Sequence, residues 1–417
     1  MTLIHGLLGI AAMLAIAWAM SERRDAIAWR PVWSGLALAL VLAAIVRWVP
    51  GAPQAIAAMN GALDALQTAT AAGTAFVFGY LGGGPVPWPP APPGAGFVLA
   101  TQALPLVLVV SALSAVLYHW GVLGLLVRGF AWVLQRTMGV GGAVGMSAAA
   151  NAFVGMVEAP LVVRPWLARM SRGELFVVMN CGMATLAGTV LALYAAILRP
   201  VVPESVWHLL AASVIAIPVA IAVAALMVPA ERLGTQASSG LPDPDANTIS
   251  ALVRGVGEGL ELLLHVIAML LVFVALVALV NLGLKALPEV GGAALSAERL
   301  LGWLFAPLAW LVGVPWHEAG TAGQLLGKKV VLNEFVAYLD MAALPPDALS
   351  PRSRLLMTYA LAGFANLGSL GIMVGGLAPM FPPERRGEVA RLATRSIPAG
   401  VLATCLTAAI VGLLEPA

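Results

Sequence analysis

The sequence predicts an all-α polytopic membrane protein: eight transmembrane helices, two re-entrant helical hairpins and interfacial amphipathic helices, arranged as inverted-topology repeats. Three observations carry that expectation. Of 417 residues, 61% are hydrophobic and 10% charged, against roughly 25% charged in soluble domains. Residues 3–20, 97–118 and 262–284 contain no Asp, Glu, Lys or Arg, and apolar runs of about 18 or more residues can cross a bilayer. A short pattern around an asparagine also occurs twice, each time in a stretch too long for one crossing and too broken for two.

The first apolar stretch, residues 3–20, lacks a basic n-region. No convincing cleavage site lies at Ser21-Glu22-Arg23-Arg24, so it reads as a retained span rather than a signal peptide. Further spans are expected at about 32–49, 97–118, 174–198, 205–229, 260–284, 353–378 and 393–414. Eight crossings put both termini on one side. The basic residues choose that side: Arg23, Arg24 and Arg30, five arginines from Arg128 to Arg172, Arg232 and Arg254, and four from Arg385 to Arg395 share the opposite face. That face is therefore cytoplasmic and both termini point outward. Residues 82–95 (GGGPVPWPPAPPGA) read as an outside loop, and the polar run 231–250 reads as a cytoplasmic linker.

Residues 120–170 and 296–346 do not fit as simple spans. Each opens with an amphipathic stretch, around 124–138 and 299–312, of interfacial character. Each continues as two apolar pieces of about a dozen residues, half a bilayer apiece. Backbone that turns round at membrane depth survives only where protein or a wet cavity satisfies it, so both regions are expected to be re-entrant hairpins. Asn151-Ala-Phe153-Val154 recurs as Asn333-Glu-Phe335-Val336. The glycine-flanked segment Gly182–Gly188 follows the first and Gly363–Ser369 the second at nearly equal spacing. By the span count the first hairpin enters from the cytoplasm and the second from outside, an arrangement that builds midplane sites in secondary transporters.

Ionisable groups at that depth cost about 2.5–3.5 kcal/mol each, which makes them functional candidates. Glu158 and Glu334 fall near the two hairpin tips, and Glu158 has the alternatives of an N-cap or an ion pair with Arg164. Asn151 and Thr185, with backbone carbonyls of Val154 and Leu186, offer neutral oxygens suited to a hard monovalent cation. Thr185 has the alternative of bonding its own helix. Asn366 and Ser369 suit hydroxyls or a heterocycle, and Phe364 beside them suits a ring wall or ordinary packing. The five histidines form no metal spacing, and His317-Glu318 lacks the second His of a zincin helix. There is no P-loop, no G-x-S-x-G and no cysteine cluster, since only Cys181 and Cys405 occur. A net charge of +2 without a basic face argues against nucleic acid. Enzyme chemistry has no foothold.

At these residues the sequence resembles the concentrative nucleoside transporter family in its bacterial eight-span form. The resemblance is carried by Phe76-Val77-Phe78-Gly79, the block Ala150–Gly188, Gly313-Val-Pro-Trp316, Val331–Tyr338 and Gly363–Ile372. It implies a homotrimer in the bacterial inner membrane, each protomer importing nucleosides with a cation gradient by an elevator motion of the hairpins and broken helices against a scaffold. The implied divisions are scaffold spans and outside loop (1–118), first repeat (119–230), cytoplasmic linker (231–257), second repeat (258–378) and C-terminal span (379–417). The resemblance gives Glu334 the ribose, aided by Asn366 and Ser369, with Phe364 and Val190 lining the pocket. It gives Asn151, Val154, Thr185 and Leu186 a sodium ion, and it matches Glu158 to the first-hairpin glutamate. Protons are the alternative coupling ion, with Glu158 as carrier. One departure stands out: Met156 and Val157 occupy positions where the family usually carries Gln then Ser or Thr to address the base. The expectation is a retained ribosyl requirement with altered base selectivity, the alternative being a modified nucleoside or other ribosyl compound. Leu367-Gly368 also departs from the usual aromatic-Ser and enlarges the pocket.

Overall fold

The computed structural model describes residues 3–86, 96–156, 158–230, 234, 245–290, 292 and 294–415. The described residues are nearly all helical, with no strand among them. The first part holds α1 (Leu3–Ala19), α2 (Trp29–Trp48), α3 (Ala52–Phe78), the single turn α4 (Leu99–Gln102) and α5 (Leu106–His119). The first repeat holds α6 (Val122–Met138), α7 (Gly142–Ala150), the single turns α8 (Glu158–Leu161) and α9 (Arg164–Leu167), α10 (Arg172–Ala184), α11 (Gly188–Leu198) and α12 (Ser205–Met227). The remainder is α13 (Thr248–Leu284), α14 (Ala297–Val312), α15 (Trp316–Val331), α16 (Glu334–Ala343), α17 (Pro351–Leu361), α18 (Leu367–Leu377) and α19 (Pro383–Leu414).

Among the described residues, six helical segments are long and apolar enough to cross a membrane: α2, α4–α5, α10–α11, α12, α13 and α19. The two shorter apolar segments are α1, with 17 residues, and Leu367–Met380, the second half of a span interrupted at residues 362–366. An eight-crossing count reads α1 and the interrupted α17–α18 as crossings too. The amphipathic stretches appear as α6 and α14. α14 then turns through 115° into α15 after the left-handed Gly313. Three boundaries differ from the sequence reading. α3 is a 27-residue helix where no element was expected. α13 begins at Thr248, inside the stretch read as linker, because the Asn247 side chain accepts the Ser250 N–H and caps it there. α19 begins at Pro383, ten residues earlier than its apolar core. Its first three turns are charged, and apolar content marks only the part at membrane depth. The Pro-rich loop read at 82–95 lies outside the described residues from 87 onward, as does most of 231–244.

Polar side chains start α16 and α18, two helices that begin at depth. Asn333 caps α16 through Val336 N–H, and Asn366 caps α18 through Ser369 N–H at 2.7 Å. In a bilayer core no water satisfies those amides, so an in-chain acceptor is required.

Arginine hydrogen bonds to backbone carbonyls tie each hairpin opening to one end of α19. Arg385, near the α19 N-terminus, donates to Ala168 O and Met170 O behind the first hairpin. Nearby, Arg172 holds Glu22 bidentately at 3.0 and 2.8 Å. Arg352 donates to Gly313 O, at the entry to the second hairpin, and to Gly412 O at the other end of α19. The two hairpins therefore open at opposite ends of one long helix, which is the geometric content of an inverted repeat.

Candidate substrate and cation site

The site is assembled where hairpin tips meet broken helices. α10 stops at Ala184 and α11 begins at Gly188. The intervening strand-like residues are held by two bonds: Gly188 N–H donates to Phe153 O at 3.1 Å, and Leu186 N–H to Ser213 Oγ at 3.4 Å. The first of these docks the first hairpin tip onto the α11 N-terminus. Gly182 permits the approach, because a Cβ there would stand 2.9 Å from Met156 Cβ and 3.4 Å from Asn151 Oδ1. The second break, between α17 and α18, lies against the first. A Cβ on Gly363 would meet Met183 O at 2.8 Å.

Glu334 opens α16 and is buried. Its Oε1 accepts from the Tyr194 hydroxyl at 2.7 Å and its Oε2 from Asn366 Nδ2 at 3.0 Å. Asn366 cannot turn its amide over, since its Oδ1 is committed to the α18 cap. The carboxylate is thus aimed by two donors from two different helices, α11 and the break before α18. A carboxylate offers about four acceptor directions, so two protein donors leave capacity for two more hydroxyls.

A cavity of about 570 Å³ opens in front of this group. Met156, Glu158, Val190, Glu334, Phe364, Asn366 and Ser369 all line it. Seven of the eight substrate-site residues expected from the sequence therefore converge there; Val157 lies outside the described residues. Glu158 folds back over Gly155, where an added Cβ would fall 2.1 Å from its carboxylate. The opposite wall comes from α5 and α13, through residues such as Ser114, His265, Met269 and Phe273. The sequence reading missed Tyr194, one of only five tyrosines. Its position one helical turn beyond Val190 was the available signal.

The four residues expected to hold a cation cluster beside the first break. Asn151 is fully buried; its Nδ2 donates to Ser147 O at 3.0 Å, while its Oδ1 has no partner among the described residues. Thr185 donates to Cys181 O at 2.8 Å, the helix-bonding alternative, and its hydroxyl keeps its acceptor face. The carbonyls of Val154 and Leu186 lie outside regular helix. A buried, unpartnered amide oxygen costs about 1–3 kcal/mol, and this set of oxygens has the chemistry that suits a hard monovalent cation. Among the described residues there is no group of three or more His, Cys, Asp or Glu able to hold a metal, and the oxygens gathered at this break are neutral ones.

Sequence profiles of three families match: "Na+ dependent nucleoside transporter N-terminus" over residues 8–81, "Nucleoside recognition" over 100–201 and "Na+ dependent nucleoside transporter C-terminus" over 208–412. An uncharacterized transporter of Haemophilus influenzae is 39% identical, with 99% of this chain and 98% of the relative covered. The nucleoside permease NupC of Helicobacter pylori is 36% identical over 98% of this chain and 97% of its own. The chain belongs to the concentrative nucleoside transporter family. The structure of CNTnw in an inward-facing substrate-bound state superimposes with a TM-score of 0.87. It is 40% identical and covers 99% of this chain and 98% of that chain. Members of this family are multi-pass membrane transporters rather than enzymes.

Proposed function

We propose that this protein is a secondary active symporter that imports nucleosides with a sodium gradient. The observation that carries the reading is Glu334, a buried carboxylate aimed by Tyr194 and Asn366 into a cavity of nucleoside size. A vicinal diol donates two hydrogens to such a carboxylate, which makes the ribose the recognised feature. Asn366 and Ser369 flank it, and Phe364 and Val190 pack on the ring system. Sodium takes Asn151 Oδ1, Thr185 Oγ1 and the carbonyls of Val154 and Leu186. The family description and the unpartnered Asn151 oxygen support that choice over protons.

Coupling follows from the shared backbone. The cation-binding break and the first hairpin tip are joined by the Gly188–Phe153 bond. A cation that orders this tip also orders Met156 and Glu158 at the cavity. One cation moving inward across 100 mV releases roughly 2.3 kcal/mol, enough to hold about a 50-fold gradient of a neutral solute. Transport proceeds by an elevator motion in which hairpins and broken helices slide on the α5–α13 wall. The assembly is a homotrimer in the bacterial inner membrane, with both termini outside. Met156 presents an apolar side chain at the base end of the cavity, so base selectivity is altered while the ribose requirement is kept.

The test is uridine and adenosine uptake into proteoliposomes, with an inward sodium gradient and with potassium in its place at fixed pH. Accumulation only with sodium is expected. Sodium-independent uptake abolished by a protonophore would move the coupling to protons and Glu158. No uptake of either nucleoside by correctly inserted protein would overturn the substrate assignment.

A further inference from the structure

One turn before each hairpin asparagine stands a fully buried polar residue. In the first repeat it is Ser147, four residues before Asn151, and its Oγ, like Asn151 Oδ1, has no partner among the described residues. In the second repeat the same place, four residues before Asn333, is Lys329. It is 0% exposed, and its ammonium donates to Ala360 O and to Thr404 Oγ1, each at 2.8 Å. Ala360 O is one of the terminal carbonyls that α17 leaves at the second break, and Thr404 belongs to α19. Lys329 thus bridges the second hairpin to its broken helix. The first repeat at the corresponding place offers bare oxygens.

Charge completes the comparison. An ammonium at membrane depth is costly unless paired, and Lys329 and Glu334, five residues apart, lie in each other's field. Beside its hairpin asparagine the second repeat therefore carries a pair of opposite charges, Lys329 and Glu334, whereas the matching position of the first is the neutral hydroxyl of Ser147.

We propose that Lys329 is the tethered counterpart of the coupling cation: it fills in the second repeat the place that a mobile ion takes in the first, so that each protomer carries one cation per nucleoside. This rests on the cation-coupled reading above. Lys329 does not reach the cavity lining and is a positioning residue. It holds the second tip against the α17 break and offsets the Glu334 charge. The net charge that crosses the membrane with the nucleoside is then the mobile ion's alone.

The experiment compares wild-type protein with Lys329→Ser, which copies Ser147, and Lys329→Met, which keeps the length without the charge. Radioactive sodium bound per protomer, charge moved per uridine, uridine affinity across sodium concentrations and melting temperature are measured. Wild-type protein is expected to bind one sodium and move one charge per uridine. Both variants should lose at least about tenfold in uridine affinity at low sodium, a change of about 1.4 kcal/mol. Raised sodium should rescue Lys329→Ser, with a steeper activation curve, because the small side chain leaves room for an ion. It should not rescue Lys329→Met. Two sodium ions per wild-type protomer would overturn the proposal. So would variants that bind uridine normally, or that respond alike to sodium at wild-type melting temperature. If neither variant folds, the wild-type sodium count alone decides. Wild-type uptake indifferent to sodium would instead refute the cation-coupled function on which this inference stands.

Discussion

Replacing Glu334 by Gln tests the ribose assignment with little change of shape. Asn366 Nδ2 points at Oε2 and is locked there by the Ser369 cap. The Gln amide must therefore turn its oxygen towards Asn366 and its NH2 towards Tyr194, whose hydroxyl can rotate to accept. One acceptor then remains where there were two, and it carries no charge. Hydrogen bonds to a charged group contribute about 1.5–3 kcal/mol each and neutral ones about half that. One bond lost and one weakened amount to roughly 2–4 kcal/mol, or about 30- to 1,000-fold in uridine affinity. Equilibrium binding of uridine, 2′-deoxyuridine and 3′-deoxyuridine to purified wild-type and variant protein forms a double-mutant cycle between carboxylate and hydroxyls. Wild-type protein should discriminate strongly against the deoxy ligands, and Glu334→Gln much less. Uridine affinity within about threefold of wild type, or unchanged discrimination between ribo and deoxy ligands, would refute the reasoning.

Other expectations follow from the same geometry. Asn151→Ala removes the unpartnered amide oxygen and should raise the sodium concentration for half-maximal uptake about 10- to 150-fold, taking about 1.5–3 kcal/mol for a charge-assisted contact; near-normal uptake is expected at saturating sodium. Gly182→Ala drives a methyl against Met156 and Asn151, and overpacking of about 1–3 kcal/mol should lower both melting temperature and sodium affinity. Gly283→Ala, with open space around it, is the neutral control. Met156→Gln with Val157→Thr should change the order of preference in a base-competition panel while leaving the ribo-over-deoxy preference intact. Lastly, the Arg172 guanidinium holds the Glu22 carboxyl below its ordinary range. A depressed carboxyl contributes stability that is present above its unfolded pKa and lost as pH falls through its folded one. Melting temperature should therefore fall with acidification below about pH 4.5, and Glu22→Gln should flatten that fall at a neutral-pH cost of about 1 kcal/mol or less.

The all-helical membrane class was legible in the sequence, and so were seven of the residues that line the cavity, though not Tyr194 or the wall from α5 and α13. Charge-free runs state directly what can sit in lipid. The repeated asparagine pattern marks the two tips, but its two copies act differently: Asn333 caps α16, whereas Asn151 Oδ1 has no partner among the described residues. Boundaries were less legible: α13 and α19 extend beyond their apolar stretches into charged turns, where hydropathy is silent but capping and Pro383 still start a helix. Which groups share an environment is settled by how the helices pack. Tyr194 and Glu334 are 140 residues apart in the chain, as are many pairs that never meet, and no local pattern announces that bond. The same holds for Lys329, which reads in the sequence as half of a basic pair with Lys328. Packing buries Lys329 fully against Ala360 and Thr404 and leaves Lys328 half-buried, paired with Asp340. Burial is a property of the whole assembly of helices, and burial turns an ordinary lysine into a fixed charge at membrane depth.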